Sequence, residues 1–365
     1  MQTGRLNIVT DGQHGSTGKG AIATALAYKY KPAVLSTTNM ANAGHSAVNQ
    51  HGDKFVAKAL PSPAVLHRWY PEYDPTIVVG ATAAFDIAQL LSEAEHCNVT
   101  NKLIIHPRAG IITEHHKNAE QDLATGTKHI ASTMQGCGSF LSDKIMRRKD
   151  LKLARDYPEL QRFITQPNLA RYLYNARHET ILHEGSQGFS LDISHGSHYP
   201  ECTSRGTTAI QNLADLGLPP KALGSVILVI RPYPIRVGNV VENGQVVGYS
   251  GDCYPDNEEI TWAKVAEEAG APPEVMAGEL TTVTKRLRRV FSFSMQQLQD
   301  AVLSNGATEI ALNFANYIDW SCYGTNEFDA LPTKVKAFIA KIEDATRVPV
   351  TIVGTGPQLN HVCFL

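Results

Sequence analysis

The sequence predicts an α/β protein in which a mostly parallel sheet is covered by helices. Short apolar runs typical of buried strands recur along the chain, and amphipathic stretches typical of helices lie between several of them. Strands that alternate with helices favour a parallel sheet, because each crossover places a helix on one face of it. No internal repeat, low-complexity segment or Pro/Ser-rich linker divides the chain, so residues 1–365 are predicted to form a single domain.

The elements follow from the apolar pattern, taken in chain order. The predicted strands are Leu6–Thr10, Thr76–Val79, Lys102–Ile105, Thr180–Leu182, Ser225–Ile230, Glu309–Leu312 and Val350–Val353. The predicted helices are Phe85–Glu95, Leu160–Arg177 and Leu331–Ala345, and Ala21–Tyr28 is also compatible with a helix. A β-hairpin is predicted at Val240–Val247, because Asn243-Gly244 stands between two β-branched runs. We expect this hairpin to be a surface appendage.

The composition excludes several classes of protein. A formal net charge of −2 provides no bulk attraction to nucleic acids or anionic membranes, so any basic site must be local. Six cysteines are scattered without a C-x-x-C pair or a zinc spacing, which suits a reducing compartment. There is no signal-peptide pattern and no apolar run long enough to span a bilayer. These features predict a soluble cytoplasmic protein.

The glycine-rich segment Asp11–Gly20 follows the first predicted strand and reads Asp-Gly-Gln-His-Gly-Ser-Thr-Gly-Lys-Gly. It departs from the usual P-loop spacing at two positions, since Gln13 replaces the first glycine and Gly20 replaces the Ser or Thr after the lysine. Backbone N–H groups at the start of a helix, together with Lys19, could still hold phosphate. The alternative is a glycine-rich turn with a solvated lysine.

Two further segments carry polar side chains after predicted strands. In Asn39–His45, a histidine that follows a glycine could act as a general acid near developing negative charge, although it could also be an ordinary loop histidine. The segment His183–Thr208 opens at a strand end, where open α/β sheets bind ligands. Within it, Gln187 and Thr203 supply neutral hydrogen-bonding groups. Its acidic and imidazole side chains could suggest a metal site, but their spacing matches no strong zinc pattern; they are Asp192, His195 and His198.

The segment Thr281–Arg289 concentrates four cations and three hydroxyls, which predicts an anion site. A nucleic-acid patch is the alternative, but the near-neutral chain and the lack of aromatic residues interleaved with the cations argue against it. A small dicarboxylate fits better, because arginine binds carboxylates through two parallel hydrogen bonds. Asn313–Asp319 and Gly354–Pro357 are loops when taken alone, although an asparagine at a strand end can bind the edge of a base.

Taken together and in this order, the segments resemble adenylosuccinate synthetase, a family that joins aspartate to a purine nucleotide with a nucleoside triphosphate and Mg²⁺. The resemblance covers nearly the whole chain. The family's G-D-E-G-K-G loop is matched by Gly15–Gly20 except at two positions, and its N-A-G-H motif is unchanged at Asn42–His45. Its E-G-x-Q-G motif is present at Glu184–Gly188, and its T-x-R-x-R-R loop is present at Thr284–Arg289.

The resemblance implies a role for each matched residue. For the purine nucleotide the implied contacts are Ser16, Asn42, Ser132, Thr133, Gln187, Thr203 and, from the partner in a homodimer, Arg147. For the nucleoside triphosphate they are Gly15, Thr17, Gly18, Lys19, Gly20, Asn316, Gly354, Thr355, Gly356 and Pro357. For aspartate they are Thr284, Arg286 and Arg288. Lys19 and His45 are implied as catalytic residues, with Ser16 and Gln187 beside them, and Mg²⁺ is implied at the carbonyl of Gly44, with Ser16 as an uncertain further ligand.

Three positions depart from the family's pattern. Ser16 replaces the aspartate that takes the purine N1 proton, and a hydroxyl cannot serve as a carboxylate-like base at neutral pH. The smaller side chain leaves space beside N1 and C2 of a purine. Asn316 replaces the aspartate that binds guanine in the donor, and an amide, which both donates and accepts, could pair with adenine instead. Gln135 replaces an arginine of the phosphate-binding loop.

These departures resemble the phage branch of the family, the 2-aminoadenylosuccinate synthetases, which act on dGMP with ATP or dATP on a route to 2-aminoadenine DNA. The sequence therefore predicts a ligase for dGMP and L-aspartate, acting in the host cytoplasm if the protein is viral, with no nucleic acid or membrane partner. An ordinary synthetase that uses IMP and GTP, and a nucleotide-binding relative without activity, are the alternatives.

Overall fold

The computed structural model describes residues 1–2, 5–122, 126–176, 179–281 and 285–365. The described helices are α1 (Lys19–Tyr30), α2 (Leu66–Trp69), α3 (Ile87–His96), α4 (Glu114–Gln121), α5 (Cys137–Ile145), α6 (Leu169–Asn175), α7 (Ala209–Asp215), α8 (Trp262–Ala269), α9 (Met295–Asn305) and α10 (Thr333–Thr346). None of them combines the length and the apolar character needed to cross a membrane.

The strands of the central sheet are β1 (Leu6–Asp11), β2 (Val34–Thr37), β5 (Thr76–Val79), β7 (Leu103–Ile105), β9 (Ile181–Glu184), β10 (Leu223–Ile230), β16 (Glu309–Leu312), β17 (Val350–Gly354) and β18 (Val362–Phe364). The remaining strands form small sheets; they are β3 (His45–Val48), β4 (Lys54–Ala57), β6 (Ala84–Phe85), β8 (Gly110–Ile111), β11 (Ile235–Arg236), β12 (Val240–Glu242), β13 (Gln245–Gly248), β14 (Glu259–Ile260) and β15 (Arg289–Phe291).

The central sheet has the order β18-β17-β16-β10-β1-β9-β2-β5-β7. Each neighbouring pair is parallel except β17 and β18, which are antiparallel. Every residue of β1 is buried, as the apolar run at its start predicts for a strand covered on both faces. The structure thus confirms the predicted α/β class with a mostly parallel sheet.

Alternate residues of the central strands face two different clusters of the core, because side chains in a strand alternate between the faces of the sheet. On one face Val9 and Leu35 pack with Ile22 of α1. On the other face Ile8 and Val34 pack with residues of α6 and α7. A further cluster lies around β16 and β17 and includes residues of α9 and α10. Helices on both faces leave the carboxyl edge of the sheet as the place for binding loops.

The predicted hairpin is confirmed as the pair β12 and β13, and Asn243 and Gly244 between the strands both have positive φ, at 51° and 77°. Such angles characterise a type I′ turn, which Asn-Gly favours. The side chains of Val241 and Val246 are largely exposed, in agreement with a surface appendage.

The predicted helix Leu160–Arg177 is wrong in its first half. A 3₁₀ segment occupies Pro158–Phe163, and helix α6 begins only at Leu169. Pro167 lies between them, and proline has no N–H to donate inside a helix. The helix predicted from Phe85 begins instead at Ile87, because the side chain of Asp86 accepts a hydrogen bond from Gln89 N and caps it.

Candidate active site

Five loops at the carboxyl edge of the sheet face one cavity of about 500 Å³. They follow β1, β2, β9, β16 and β17, which end at the same edge because they are parallel. Most of the residues selected from the sequence line this cavity: Gly15, Ser16, Gly18, Lys19, Gly20, Asn42, Gly44, His45, Thr133, Gln187, Arg288, Asn316, Gly356 and Pro357. The structure therefore brings together residues that are separated by more than 300 positions in the sequence.

The loop after β1 has an unusual backbone, which Asp11 holds in place. Gly15, Ser16 and Gly18 have φ of 86°, 57° and 76°. The buried Asp11 carboxylate accepts hydrogen bonds from Gly15 N at 3.3 Å and from Thr17 N and Oγ1 at 3.4 and 2.6 Å. The Thr17 hydroxyl therefore donates its hydrogen within the loop, to Asp11, and not to a ligand. A carboxylate from the strand end thus fixes the loop at the point where the family motif carries its own two acids.

At one end of the cavity, here termed the Lys19 end, three side chains lie in direct contact. The Lys19 Nζ is 3.3 Å from Nε2 of His45, and Nδ1 of His45 is 2.6 Å from Oε1 of Glu184. The other carboxylate oxygen of Glu184 accepts hydrogen bonds from Ser62 N and Oγ at 2.6 and 2.9 Å. These contacts fix the orientation of the imidazole.

The charges at the Lys19 end shift the pKa values of its titratable groups. Burial, and then the Lys19 ammonium, lower the pKa of His45, while the Glu184 carboxylate opposes the shift. Burial alone would raise the pKa of Glu184, but its contacts with His45, Lys19 and Ser62 lower it below its ordinary value. Glu184 is therefore ionised. Its carboxylate can stabilise a protonated His45 when an anionic ligand enters the cavity.

In another part of the cavity, here termed the Ser16 end, the Ser16 hydroxyl lies beside a guanidinium. Nη1 of Arg288 donates to Oγ of Ser16, and Nε donates to the carbonyl of Leu280 at 3.3 Å. The carbonyl of Ser16 accepts from Nη1 of Arg231 at 3.0 Å. Arg231 is fully buried, and its Nη2 is 2.5 Å from Oε1 of Glu279. Ser16 is thus held through both its main chain and its side chain.

Three of the other residues selected for the purine nucleotide line the same cavity as Ser16; they are Asn42, Thr133 and Gln187. Gln187 has a positive φ of 64° and lines the cavity with Thr133 and Asn42, whose Oδ1 is buried without a hydrogen-bond partner among the described residues. Thr203 is 8% exposed and does not itself line the cavity. The carbonyl of Ser132 accepts from Arg286 at 3.3 Å, which joins the predicted phosphate loop to the predicted aspartate loop.

The structure does not support two of the sequence assignments by position. Arg147 is exposed just after helix α5 and does not line the cavity. Thr284 lies outside the described residues, so its assignment to aspartate stays a prediction from sequence.

At the third side, here termed the Asn316 end, aromatic side chains surround an amide. Asn316 is 4% exposed, and its Oδ1 is buried without a hydrogen-bond partner in the described part of the chain. Phe314, Tyr317 and Trp320 line the cavity beside it. The buried acceptor fits a ligand that carries an N–H donor.

In the loop after β17, Gly356 and Pro357 reach the cavity, whereas Gly354 and Thr355 lie behind it. The Thr355 hydroxyl donates to the carbonyl of Thr325 at 2.6 Å, so its side chain stabilises the loop. A Cβ at Gly354 would lie 2.1 Å from Oδ1 of Asn313, which explains why glycine stands there.

The described residues contain no group of three or more His, Cys, Asp or Glu side chains arranged to hold a metal ion. The Asp192 carboxylate accepts hydrogen bonds from the N–H groups of Ser194, His195 and Thr207, so it is used within its own loop. Ser16 is a poor ligand for a cation because it already faces the Arg288 guanidinium. A Mg²⁺ ion that takes phosphate oxygens and one carbonyl, such as that of Gly44, would still fit, since Mg²⁺ commonly binds to proteins together with substrate phosphates.

The sequence alone does not identify the residues that position the cavity-lining side chains and loops through hydrogen bonds and ion pairs. The motifs include Glu184 without indicating its role, and they do not include Asp11, Arg231 or Glu279. Each of them contacts its partner across the fold or through the loop backbone, as Arg231 does with Ser16 215 positions away. The signal for Glu184 is its place at the end of a strand, two residues after the apolar pair Ile181-Leu182.

The model of the adenylosuccinate synthetase family matches residues 8–157 and 151–320. The chain is 35% identical over 364 residues to adenylosuccinate synthetase of Methanocaldococcus jannaschii, covering 98% of this chain and 96% of that one. It is 36% identical over 379 residues to N6-succino-2-amino-2′-deoxyadenylate synthase of Vibrio phage phiVC8, covering 98% and 97%. These two identities are too similar to choose between the two activities.

Solved structures of proteins with both activities share the fold of this chain. The cyanophage S-2L succinoaminodeoxyadenylate synthetase (PurZ), bound to dGMP and dATP as an energy donor, superimposes with a TM-score of 0.83 at 33% identity, covering 100% of this chain and 96% of that one. Adenylosuccinate synthetase of Plasmodium falciparum has the same fold, with a TM-score of 0.78 at 20% identity and coverage of 99% and 100%.

Proposed function

The chain belongs to the adenylosuccinate synthetase family of C–N ligases, and we propose that within this family it condenses dGMP with L-aspartate. Hydrolysis of ATP or dATP drives the reaction. The products are 2-amino-2′-deoxyadenylosuccinate (N6-succino-2-amino-2′-deoxyadenylate), ADP or dADP, and phosphate. The proposal places the enzyme on a route to 2-aminoadenine DNA.

The observation that carries this proposal is the presence of a serine, Ser16, at the purine-binding position of the cavity motif. Ser16 lines the cavity where the family motif has an aspartate, and its hydroxyl lies beside a guanidinium rather than beside another acid. A serine is shorter than an aspartate and has a lone pair for a donor, so it suits a purine that carries an amino group at C2. A relative of similar fold was solved with dGMP and dATP bound, which supports the same choice.

In the proposed reaction, the purine O6 attacks the γ-phosphorus of the donor, the bond to the β-phosphate oxygen breaks, and the N1 proton passes to water. The amine of aspartate then adds at C6, and the phosphate departs with the former O6. Lys19 stabilises the transferring phosphoryl group by its charge. His45, oriented by Glu184, holds a proton on the phosphate side. Mg²⁺, when bound, supplies charge neutralisation for the crowded phosphate oxygens.

We assign the remaining contacts by position in the cavity and by the family's motifs. Gln187 and Asn42 bind the purine, and Ser132, Thr133 and Thr203 bind the phosphate of dGMP. Arg286, Arg288 and Thr284 bind the carboxylates of aspartate. Asn316 pairs with the adenine of the donor, with Gly356 and Pro357 beside it. The loop residues Gly15, Gly18 and Gly20 offer backbone N–H groups to the triphosphate.

We also propose a homodimer in which the Arg147 side chain reaches the dGMP phosphate of the partner subunit. Its exposure on the surface after α5 agrees with that role. Mixing an Arg147→Ala variant with a Lys19→Met variant tests it. Hybrid dimers with one restored site would recover activity, and two inactive proteins that stay inactive on mixing would contradict it.

The alternative activity is that of an ordinary synthetase on IMP with GTP, which the 35% identity to an archaeal adenylosuccinate synthetase keeps open. Phosphate release, measured with dGMP, with IMP and without a purine, each with aspartate and ATP or GTP, decides between them. We expect release only with dGMP and an adenine donor. Turnover of IMP alone would refute the proposal, and no turnover under any condition would indicate a binding protein.

A further inference from the structure

The position of Ser16 is fixed by contacts to its main chain. Its φ of 57° places it in the left-handed region, and its carbonyl accepts a hydrogen bond from the buried Arg231 at 3.0 Å. Arg231 in turn is held by Glu279, at 2.5 Å between Nη2 and Oε1. With the main chain held by this contact, the group that a ligand meets at Ser16 depends on the direction of its hydroxyl.

The Arg288 guanidinium determines that direction. A guanidinium only donates hydrogen bonds, so the Ser16 oxygen must accept the one from Nη1 of Arg288. A hydroxyl has two lone pairs and one hydrogen, which leaves one lone pair and the hydrogen for a ligand in the cavity. Without Arg288, the hydroxyl could rotate and offer its hydrogen where an acceptor is needed.

We propose that Arg288, beyond binding aspartate, determines purine specificity by presenting a lone pair of Ser16 to the 2-amino group of the purine. The inference rests on the proposed function, since only a 2-aminopurine carries this N–H donor. Hypoxanthine has a hydrogen at C2, so it gains nothing from an acceptor there. Arg288 thus acts on the purine through Ser16 rather than by touching it.

The same guanidinium links the two substrates. Nη1 and Nε of Arg288 are used by Ser16 and Leu280, and Nη2 makes no hydrogen bond within the described residues. A carboxylate of aspartate can therefore bind to Nη2 while Nη1 stays on Ser16, because the guanidinium is rigid and planar. Bound aspartate would hold Arg288 in place, and so L-aspartate strengthens the binding of dGMP more than that of dIMP.

Calorimetric titration with dGMP and with dIMP, which share the same sugar, tests the proposal without turnover. The proteins are the wild type and the variants Arg288→Met, Ser16→Ala and the double variant. We expect either single change to reduce the ratio of dGMP to dIMP affinity by up to roughly tenfold, the effect of losing one neutral hydrogen bond, that between Ser16 Oγ and the 2-amino group. The double variant should lose no more, because both changes remove the same interaction.

Lys285→Met is the matched control, since it removes one positive charge from the same loop at an exposed position. It should leave the affinity ratio unchanged. Arg288→Lys covers the case in which the methionine variant unfolds, and its single ammonium should give an intermediate ratio. Adding L-aspartate to the wild type should raise the ratio, and the same addition should not raise it in Ser16→Ala.

The outcomes separate this inference from the proposed function. A wild type that binds dIMP as tightly as dGMP would refute the proposed substrate. A wild type that prefers dGMP, together with an Arg288→Met variant of unchanged ratio and weaker aspartate binding, would overturn the inference alone. In that case Arg288 would be an aspartate-binding residue and nothing more.

Discussion

The Lys19 end of the cavity joins an ammonium, an imidazole and a carboxylate in direct contact, whereas the Ser16 end joins a neutral hydroxyl to a guanidinium. Lys19, His45 and Glu184 all match motifs of the family, and Ser16 does not. Phosphoryl transfer to O6 is the same for hypoxanthine and guanine, and the two bases differ only at C2, where guanine carries an amino group. In the proposed reaction, the choice of purine therefore depends on the Ser16 end, and phosphoryl transfer depends on the Lys19 end.

The largest expected effect comes from breaking the Lys19 end. The replacement Lys19→Met removes the charge beside the transferring phosphoryl group, and we expect kcat to fall by about 10³-fold or more. Phosphate release measures it, and binding of dGMP, measured by calorimetry, should be nearly unchanged. Lys152→Met, on the exposed surface, is the control for loss of a lysine. A fall of less than tenfold would mean that Lys19 is not at the reacting phosphate.

The next effect sharpens the difference at the Ser16 end. Ser16→Asp fills the space beside C2 and places a carboxylate near N1, so we expect dGMP turnover to fall by roughly 100-fold and some IMP turnover to appear. Turnover of each purine at saturating aspartate provides the measurement. Ser16→Ala keeps the space and should retain preference for dGMP over IMP in turnover, although a weaker one. Unchanged dGMP kinetics in Ser16→Asp would refute the role of this pocket.

A smaller effect is expected at the Asn316 end. Asn316→Asp replaces an amide with an acceptor-only carboxylate, which favours the N1 and N2 donors of guanine over adenine. We expect the preference for ATP over GTP to shift roughly tenfold toward GTP, measured as the ratio of their kcat/KM values. Asn326→Asp, exposed nearby, controls for the added charge. The same ratio in both variants would show that Asn316 does not contact the donor base.

The smallest effect concerns stability in acid and involves His183, the residue before Glu184 on β9. Burial lowers the pKa of His183 to about 4, while the unfolded chain keeps the ordinary value. Protonation of the unfolded chain therefore removes stability as the pH falls below 6.5, by roughly 2 kcal/mol at pH 5. Urea unfolding at pH 7 and pH 5 measures this loss, and it should be smaller by that amount in His183→Gln. Equal losses in the two proteins would contradict the prediction.

The fold could be predicted from the sequence wherever the residues of one segment determine its local structure. The run Leu6–Thr10 is apolar enough to be a central strand, and Asn243-Gly244 specifies its turn locally. The break at Pro167 is equally local, but the apolar spacing on both sides of the proline favours one continuous helix, which the structure does not contain.

The sequence predicted many of the residues that line the candidate site, but it did not predict which of them contact each other. Motifs identified Ser16 and Arg288, yet nothing in either segment shows that they touch, since they lie 272 positions apart. The pairing of His45 with Glu184 likewise depends on the sheet order, which places β2 beside β9. Long-range contacts of this kind are set by topology, and a single sequence carries no direct signal for them.

The carboxylate of Asp11 has one more consequence, which concerns the rate of binding. Because it already holds N–H groups of Gly15 and Thr17, the loop after β1 has its final shape before any nucleotide arrives. The entropy of ordering that loop is lost during folding and need not be lost again at each encounter with a ligand. We therefore expect association of the nucleotide with this loop to be limited by diffusion and by the motion of other segments, and not by closure of the loop itself.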